Sequence, residues 1–125
     1  MEKSKLESKK APAAIGPYSQ AIMAGGTIYV SGQLPIDSTT GAIPSEDIKV
    51  QTRQSLNNIK AVLLEAGYDM GRVVKTTVYL QDMDDFGAMN EVYQEFFEDP
   101  YPARVAFQAA KLPKNAKVEI DAIAV

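Results

Sequence analysis

The side chains with most to offer chemically lie near the C-terminal end of this 125-residue sequence, where Arg104 and Glu119 each interrupt an apolar run. The stretch from Pro100 through Phe107 and the stretch from Lys117 to Val125 read as two strands joined by a polar turn, Leu112-Pro-Lys-Asn-Ala. Period-two alternation puts Arg104, Ala106 and Gln108 on one side of the first strand, with Val105, Phe107 and Ala109 on the other. On the second strand Val118, Ile120, Ala122 and Ala124 share a face, while Glu119 and Asp121 point the opposite way with Ile123. A charge inside such a strand has to be paired, solvated in a cleft or held for a ligand. Pro100 and Pro102 stiffen the approach to Arg104, so its guanidinium presents a planar fork matched to a carboxylate or phosphate. From strand position alone two readings stay open: a ligand anchor, or a structural ion pair with Glu119 or Asp121.

Absences narrow the chemistry further. The sequence has no cysteine and no histidine, which removes disulfides, thiol nucleophiles, the Ser-His-Asp triad and nearly all usual transition-metal sites. Carboxylates, tyrosine, lysine, backbone and water remain for moving protons. No glycine-rich phosphate loop is present, and Ala24-Gly-Gly-Thr reads as a hairpin turn. No cofactor or metal is expected, so any catalysis is mild chemistry on a substrate that is already reactive. The net charge of −3 is a poor match for nucleic acid, whose binding depends on basic residues against phosphates.

These residues must be positioned by a single domain spanning residues 1–125. The lysine-rich N-terminus reads as a solubilising, edge-strand segment in preference to a weak basic arm, and no apolar core of a signal peptide follows it. No apolar run is long enough to cross a bilayer, and a cytoplasmic location is the expectation. Residues 13–24 form a loop feeding a strand, with Gly16-Pro17 as the turn signal and Tyr18 at the junction. The next strand, Thr27-Ile-Tyr-Val-Ser31-Gly, buries Ile28 and Val30 and turns Tyr29 and Ser31 away. Gly32 either lets the chain approach a ligand closely or ends the strand.

Residues 33–45 form a loop, with Ser45 as the expected N-cap of the helix that follows. Ile48, Thr52, Leu56, Ile59 and Leu63 recur at helical spacing, and Gly67 ends the segment. Gln51, Arg53, Asn57 and Lys60 form the solvated face. Val73–Leu80 is rich in β-branched residues and predicts a strand. Asp82 is the expected cap of a second helix with Phe86, Met89, Tyr93, Phe96 and Phe97 as its apolar stripe. Asn90 falls on that stripe, as either a satisfied core amide or a cleft residue. The order of elements predicts an α+β domain, one mixed β-sheet with two helices on one face. Apolar residues on the other face, with nothing in the chain to cover them, predict an oligomer.

Four stretches in order resemble the signature of the Rid (YjgF) family of enamine/imine deaminases: Ile15-Gly-Pro-Tyr18-Ser-Gln-Ala; Ile28-Tyr-Val-Ser31-Gly-Gln-Leu-Pro; Asp85-Phe-Gly-Ala-Met-Asn90-Glu-Val-Tyr; and Pro102-Ala-Arg104 with Phe107 and Val118-Glu-Ile120. The resemblance runs from about residue 11 to the C-terminus and implies a chorismate-mutase-like fold and a homotrimer with ligand clefts between subunits. It implies that Arg104, Glu119 and Tyr18 serve catalysis, and that Ser31, Gly32, Asn90 and the backbone at Ala106 bind substrate. Some members carry cysteine at the position of Ala106, which is harmless if only backbone acts there. The implied reaction is hydrolysis of 2-imino acids such as 2-iminobutanoate and 2-iminopropanoate to the 2-oxo acid and ammonia. Two other readings use the same sequence: a non-catalytic trimer that senses small carboxylates, and an RNA-directed activity described for some members. Acidic charge and the lack of a histidine base weigh against the second.

Overall fold

A computed structural model describes residues 2–125. Strands β1 (Ser4–Leu6), β2 (Ala21–Ala24) and β3 (Thr27–Gln33) precede helix α1 (Ile48–Leu64); β4 (Val73–Leu80), α2 (Phe86–Phe96), β5 (Ala103–Gln108) and β6 (Val118–Ala124) follow. The six strands form one mixed sheet in the order β1-β2-β3-β6-β4-β5, in which only β4 and β5 are parallel neighbours. The expected α+β architecture, with the N-terminal segment as an edge strand, is what the chain adopts. Gly25 and Gly26, both at positive φ, make the tight β2–β3 turn.

Both helices are crossovers. The α2 helix carries the chain from β4 to the parallel strand β5, and α1 carries it from β3 to β4, with β6 inserted antiparallel between them. Right-handed crossovers that step in the same direction across a sheet leave their helices on the same face. Ile28, Val30, Val78, Leu80, Val118 and Ile120 point to that face and meet Leu56, Ile59, Leu63, Met89 and Tyr93 in the core. The other face has no helix over it. Tyr29, Val105 and Phe107 stand there about half exposed, at 50%, 46% and 45%.

Several local expectations are corrected. The strands β5 and β6 are not partners, because β4 lies between them and pairs with both; their polar linker includes Lys114 and Asn115 at positive φ. Asp47 caps α1, accepting from the backbone N–H groups of Lys49 and Val50, while Ser45 Oγ accepts from the Asp47 N–H. Asp82 caps a short 3-10 turn, Met83–Asp85, that runs into α2. Gln51 is buried, not solvated. Its amide donates to the Ser45 carbonyl and accepts from the Lys117 N–H, so it joins α1 to the start of β6. Phe97 lies just beyond the end of α2 but stays buried, with its ring 4.7 Å from that of Tyr93.

Candidate functional site

The expected site residues fall into two groups on opposite faces of the sheet. Arg104 on β5 is level with Thr76 on β4, and both face the helices. The Thr76 and Tyr93 hydroxyls are 2.8 Å apart in a hydrogen bond. Arg104 Nη1 donates to Asn90 Oδ1 at 2.6 Å. Its guanidinium carbon lies 4.8 Å from the ring centre of Tyr93 and 5.3 Å from that of Phe86. The three supports, Phe86, Asn90 and Tyr93, follow one another at helical spacing on α2, and that spacing could have singled out the two rings in the sequence.

No carboxylate pairs with Arg104 among the described residues. The ion pair with Glu119 or Asp121 is therefore not made within this chain, because the sheet separates them. Asn90 holds only one nitrogen of a fork that has five N–H donors. The fork opens into a cleft of about 560 Å³ lined by Asn90, Tyr93, Gln94, Tyr101 and Pro102. Burial pushes the Tyr93 hydroxyl up, against the opposing effects of its bond to Thr76 and the charge of Arg104, so this wall stays neutral.

Ala106 follows Arg104 on the same edge strand. The Ala109 N–H donates to the Leu80 carbonyl, so by alternation the backbone groups of Phe107 and Val105 also turn toward β4. Those of Ala106, like those of Arg104 and Gln108, turn to the open edge of the sheet. The main-chain N–H and C=O of Ala106 are thus presented to whatever lies against that edge.

The second group gathers on the open face around a β-bulge. Val30 pairs with Ala122 and Gln33 with Ile120, which leaves Ser31 and Gly32 opposite the single residue Asp121. The bulge brings the backbone of Gly32 against the side chain of Glu119. A Cβ at Gly32 would overlap the Glu119 carboxylate and lie 3.0 Å from its Cδ, so the glycine is needed for close approach of this chain's own acid. Burial pushes the Glu119 carboxyl up, and the nearby charge of Asp121 pushes it further.

Ser31 Oγ donates to the Ser19 carbonyl at 2.6 Å, and the Ser31 N–H donates to the Gln20 carbonyl at 2.9 Å. These two bonds tie the loop carrying Tyr18 to β3. Tyr18 itself is 55% exposed, in a turn closed by its own N–H to the Gly16 carbonyl. One copy of the chain therefore gathers Ser31, Gly32 and Glu119, and anchors the Tyr18 loop beside them. It separately gathers Arg104, Asn90 and the Ala106 backbone. It does not bring the two groups together. Among the described residues no cluster of carboxylates could hold a metal ion.

The chain is similar to known proteins along nearly its whole length. The family model described as Endoribonuclease L-PSP matches residues 8–125. A RutC family protein of Pyrococcus horikoshii is 55% identical over 98% of this chain and 97% of its own length. The 2-iminobutanoate/2-iminopropanoate deaminase of Mus musculus is 48% identical over 96% of this chain and 89% of its own. Among solved structures, E. coli TdcF with bound serine superposes with a TM-score of 0.92 at 43% identity, covering 98% of each chain.

Proposed function

The chain belongs to the Rid/YjgF family, and on that premise we propose that it hydrolyses imines and enamines of 2-oxo acids to the 2-oxo acid and ammonia. The observation that carries the reading is Arg104: a guanidinium fixed by Asn90 and two aromatic rings, paired with no carboxylate among the described residues, facing an open cleft. Such a fork suits the carboxylate of a 2-imino acid, held by parallel N–H···O bonds. The similarity to deaminases of several mammals and to a protein that binds serine supports the same substrate class.

The acid is Glu119. With its proton affinity raised, it accepts a proton from a water whose oxygen bonds to the imine carbon as the C=N electron pair moves to nitrogen. It then delivers that proton to the amine nitrogen. The carbinol O–H proton then passes through Glu119 to the same nitrogen as the carbon–nitrogen bond breaks, so that ammonia leaves and the C=O forms. The exposed N–H and C=O of Ala106 orient the substrate, Tyr18 closes the site, and Ser31 fixes the loop that carries it. Because Arg104 and Glu119 face opposite sides of one sheet, the working site takes its anchor from one copy and its acid from another. A homotrimer packed through the uncovered sheet face provides that arrangement and buries Tyr29, Val105 and Phe107.

RNA cleavage is mentioned in the family description, but the net charge of −3 opposes binding to phosphates. The test couples a threonine dehydratase to this protein and follows 2-oxobutanoate release when hydrolysis limits the rate. Wild type should accelerate release and Arg104→Ala should not. Equal release with and without the protein would contradict the assignment and leave the cleft as a carboxylate sensor.

A further inference from the structure

Asp121 takes no part in the site described above, yet both of its carboxylate oxygens accept hydrogen bonds. It lies two residues from Glu119 on β6, opposite the bulge, so both carboxylates point to the same side. Its Oδ1 accepts the Thr77 N–H at 3.0 Å, and its Oδ2 accepts the Tyr79 hydroxyl at 3.3 Å. No lysine or arginine pairs with Asp121 or Glu119 among the described residues. Tyr79, which is level with Glu119 on β4, is itself fixed edge-on by Phe107 at 5.3 Å between ring centres.

We propose that Asp121 is a positioning residue for the hydrolysis, a pinned negative charge that makes the neighbouring Glu119 a better proton acceptor, with Thr77 and Tyr79 holding it in place. The inference rests on the deaminase reading and deepens it by saying what sets the basicity of the acid. A carboxylate beside another carboxylate resists losing its proton, because the second negative charge must form next to the first. A stronger base is drawn closer to the pH at which it works. Hydrogen bonds from a backbone amide and a phenol hold the Asp121 side chain in place on the same side of β6 as Glu119. The raised proton affinity of Glu119, due first to burial and then to Asp121, agrees with this arrangement, as does the raised Tyr79 hydroxyl, which stays protonated and able to donate.

By strand alternation, the other titratable groups that share this face are Lys117 on β6, Tyr79 and Lys75 on β4, Tyr29 on β3 and, at the far edge, Lys5 on β1. On β5 the face carries Val105 and Phe107, which do not titrate. Among the described residues of these strands in one copy, only Asp121 therefore places a second negative charge beside Glu119.

The experiment compares wild type, Asp121→Asn and Asp121→Glu by two readouts on the intact oligomer. One is the pH profile of kcat/KM for imine hydrolysis. The other is a carbon-13 NMR titration of the Glu119 carboxyl, assigned by its loss in Glu119→Gln. In Asp121→Asn the Glu119 titration and the acid limb of the profile should both move to lower pH, with a several-fold loss of kcat; Asp121→Glu should restore both. An unmoved Glu119 titration in Asp121→Asn, or a titration that moves while the acid limb stays, overturns the role of Asp121 in an active enzyme. A wild type without hydrolytic activity overturns the deaminase reading, and this role with it, whatever the titration shows.

Discussion

The backbone of Gly32 lies so close to Glu119 that a β-carbon there would occupy the space of the carboxylate. The bulge at Ser31 and Gly32 creates this contact by setting two residues of β3 against one of β6. Gly32→Ala should therefore swing the Glu119 carboxylate out of place while leaving Arg104, on the other face, untouched. We expect kcat to fall on the order of 10- to 100-fold with substrate affinity largely kept, since misplacing a reacting group by about 1 Å is enough for such a loss. Steady-state kinetics on a variant shown to keep the wild-type oligomer would settle it, and an unchanged kcat would count against the close approach.

Asn90 orients Arg104 through one short hydrogen bond. Removing it in Asn90→Ala leaves the charge but frees the fork to rotate. A hydrogen bond to a charged group contributes about 1.5–3 kcal/mol, part of which water will replace. KM should rise roughly tenfold with kcat changed less, the pattern of lost ground-state binding. A variant in which kcat falls and KM holds would place Asn90 in the chemical step instead.

Two buried polar residues of α1 should respond in opposite directions. The Ser55 hydroxyl is buried with no partner among the described residues, so Ser55→Ala should leave stability unchanged or raise it by up to about 1 kcal/mol. The Asn58 amide donates at 3.0 Å to the carbonyls of both Leu34 and Ile36. Asn58→Ala strands those acceptors and should lower stability by about 1–3 kcal/mol. Urea denaturation of both variants is the check; a stabilised Asn58→Ala would show that the 34–36 loop does not depend on that amide.

The raised carboxyl of Glu119 also has a signature in stability. Because burial and Asp121 lift it above the ordinary 4.5, the folded protein keeps this proton to a higher pH than the unfolded chain does. Between those two values the native state binds more protons. Its stability is therefore greatest below the ordinary value and falls as pH rises through the raised one. Glu119→Gln abolishes the titration, so its stability relative to wild type should grow from acid to neutral pH. Denaturation midpoints of the two proteins that run parallel over that range would contradict the shift.

Much of the scaffold was legible in local pattern. The β-branched run Val73–Leu80 became a strand with the expected bounds, and the spacing of Ile48, Leu56, Ile59 and Leu63 found α1. What the pattern could not carry was pairing across distance. The strands β5 and β6 follow one another in sequence, but the earlier strand β4 separates them, and only the crossover geometry of α2 dictates that. The same gap hid the placement of Arg104 and Glu119 on opposite faces, since each strand's alternation is readable alone but their relative phase is not. A polar residue on a helix, such as Gln51, reads as solvated unless its partners, here Ser45 and Lys117, are known. Gly32 had two readings, close approach to a ligand or the end of a strand; the chain uses it for close approach to Glu119.

The most direct test of the account mixes two variants that should each be inactive alone. Arg104→Ala and Glu119→Gln are each assayed alone in the coupled dehydratase reaction, then co-refolded in equal amounts, with mixed oligomers verified by native mass spectrometry. If each site takes Arg104 from one copy and Glu119 from another, random assembly leaves about a quarter of the sites with both residues intact. The mixture should then recover roughly that share of wild-type activity, while each variant alone has almost none. Mixed oligomers as inactive as either parent would contradict a site shared between copies.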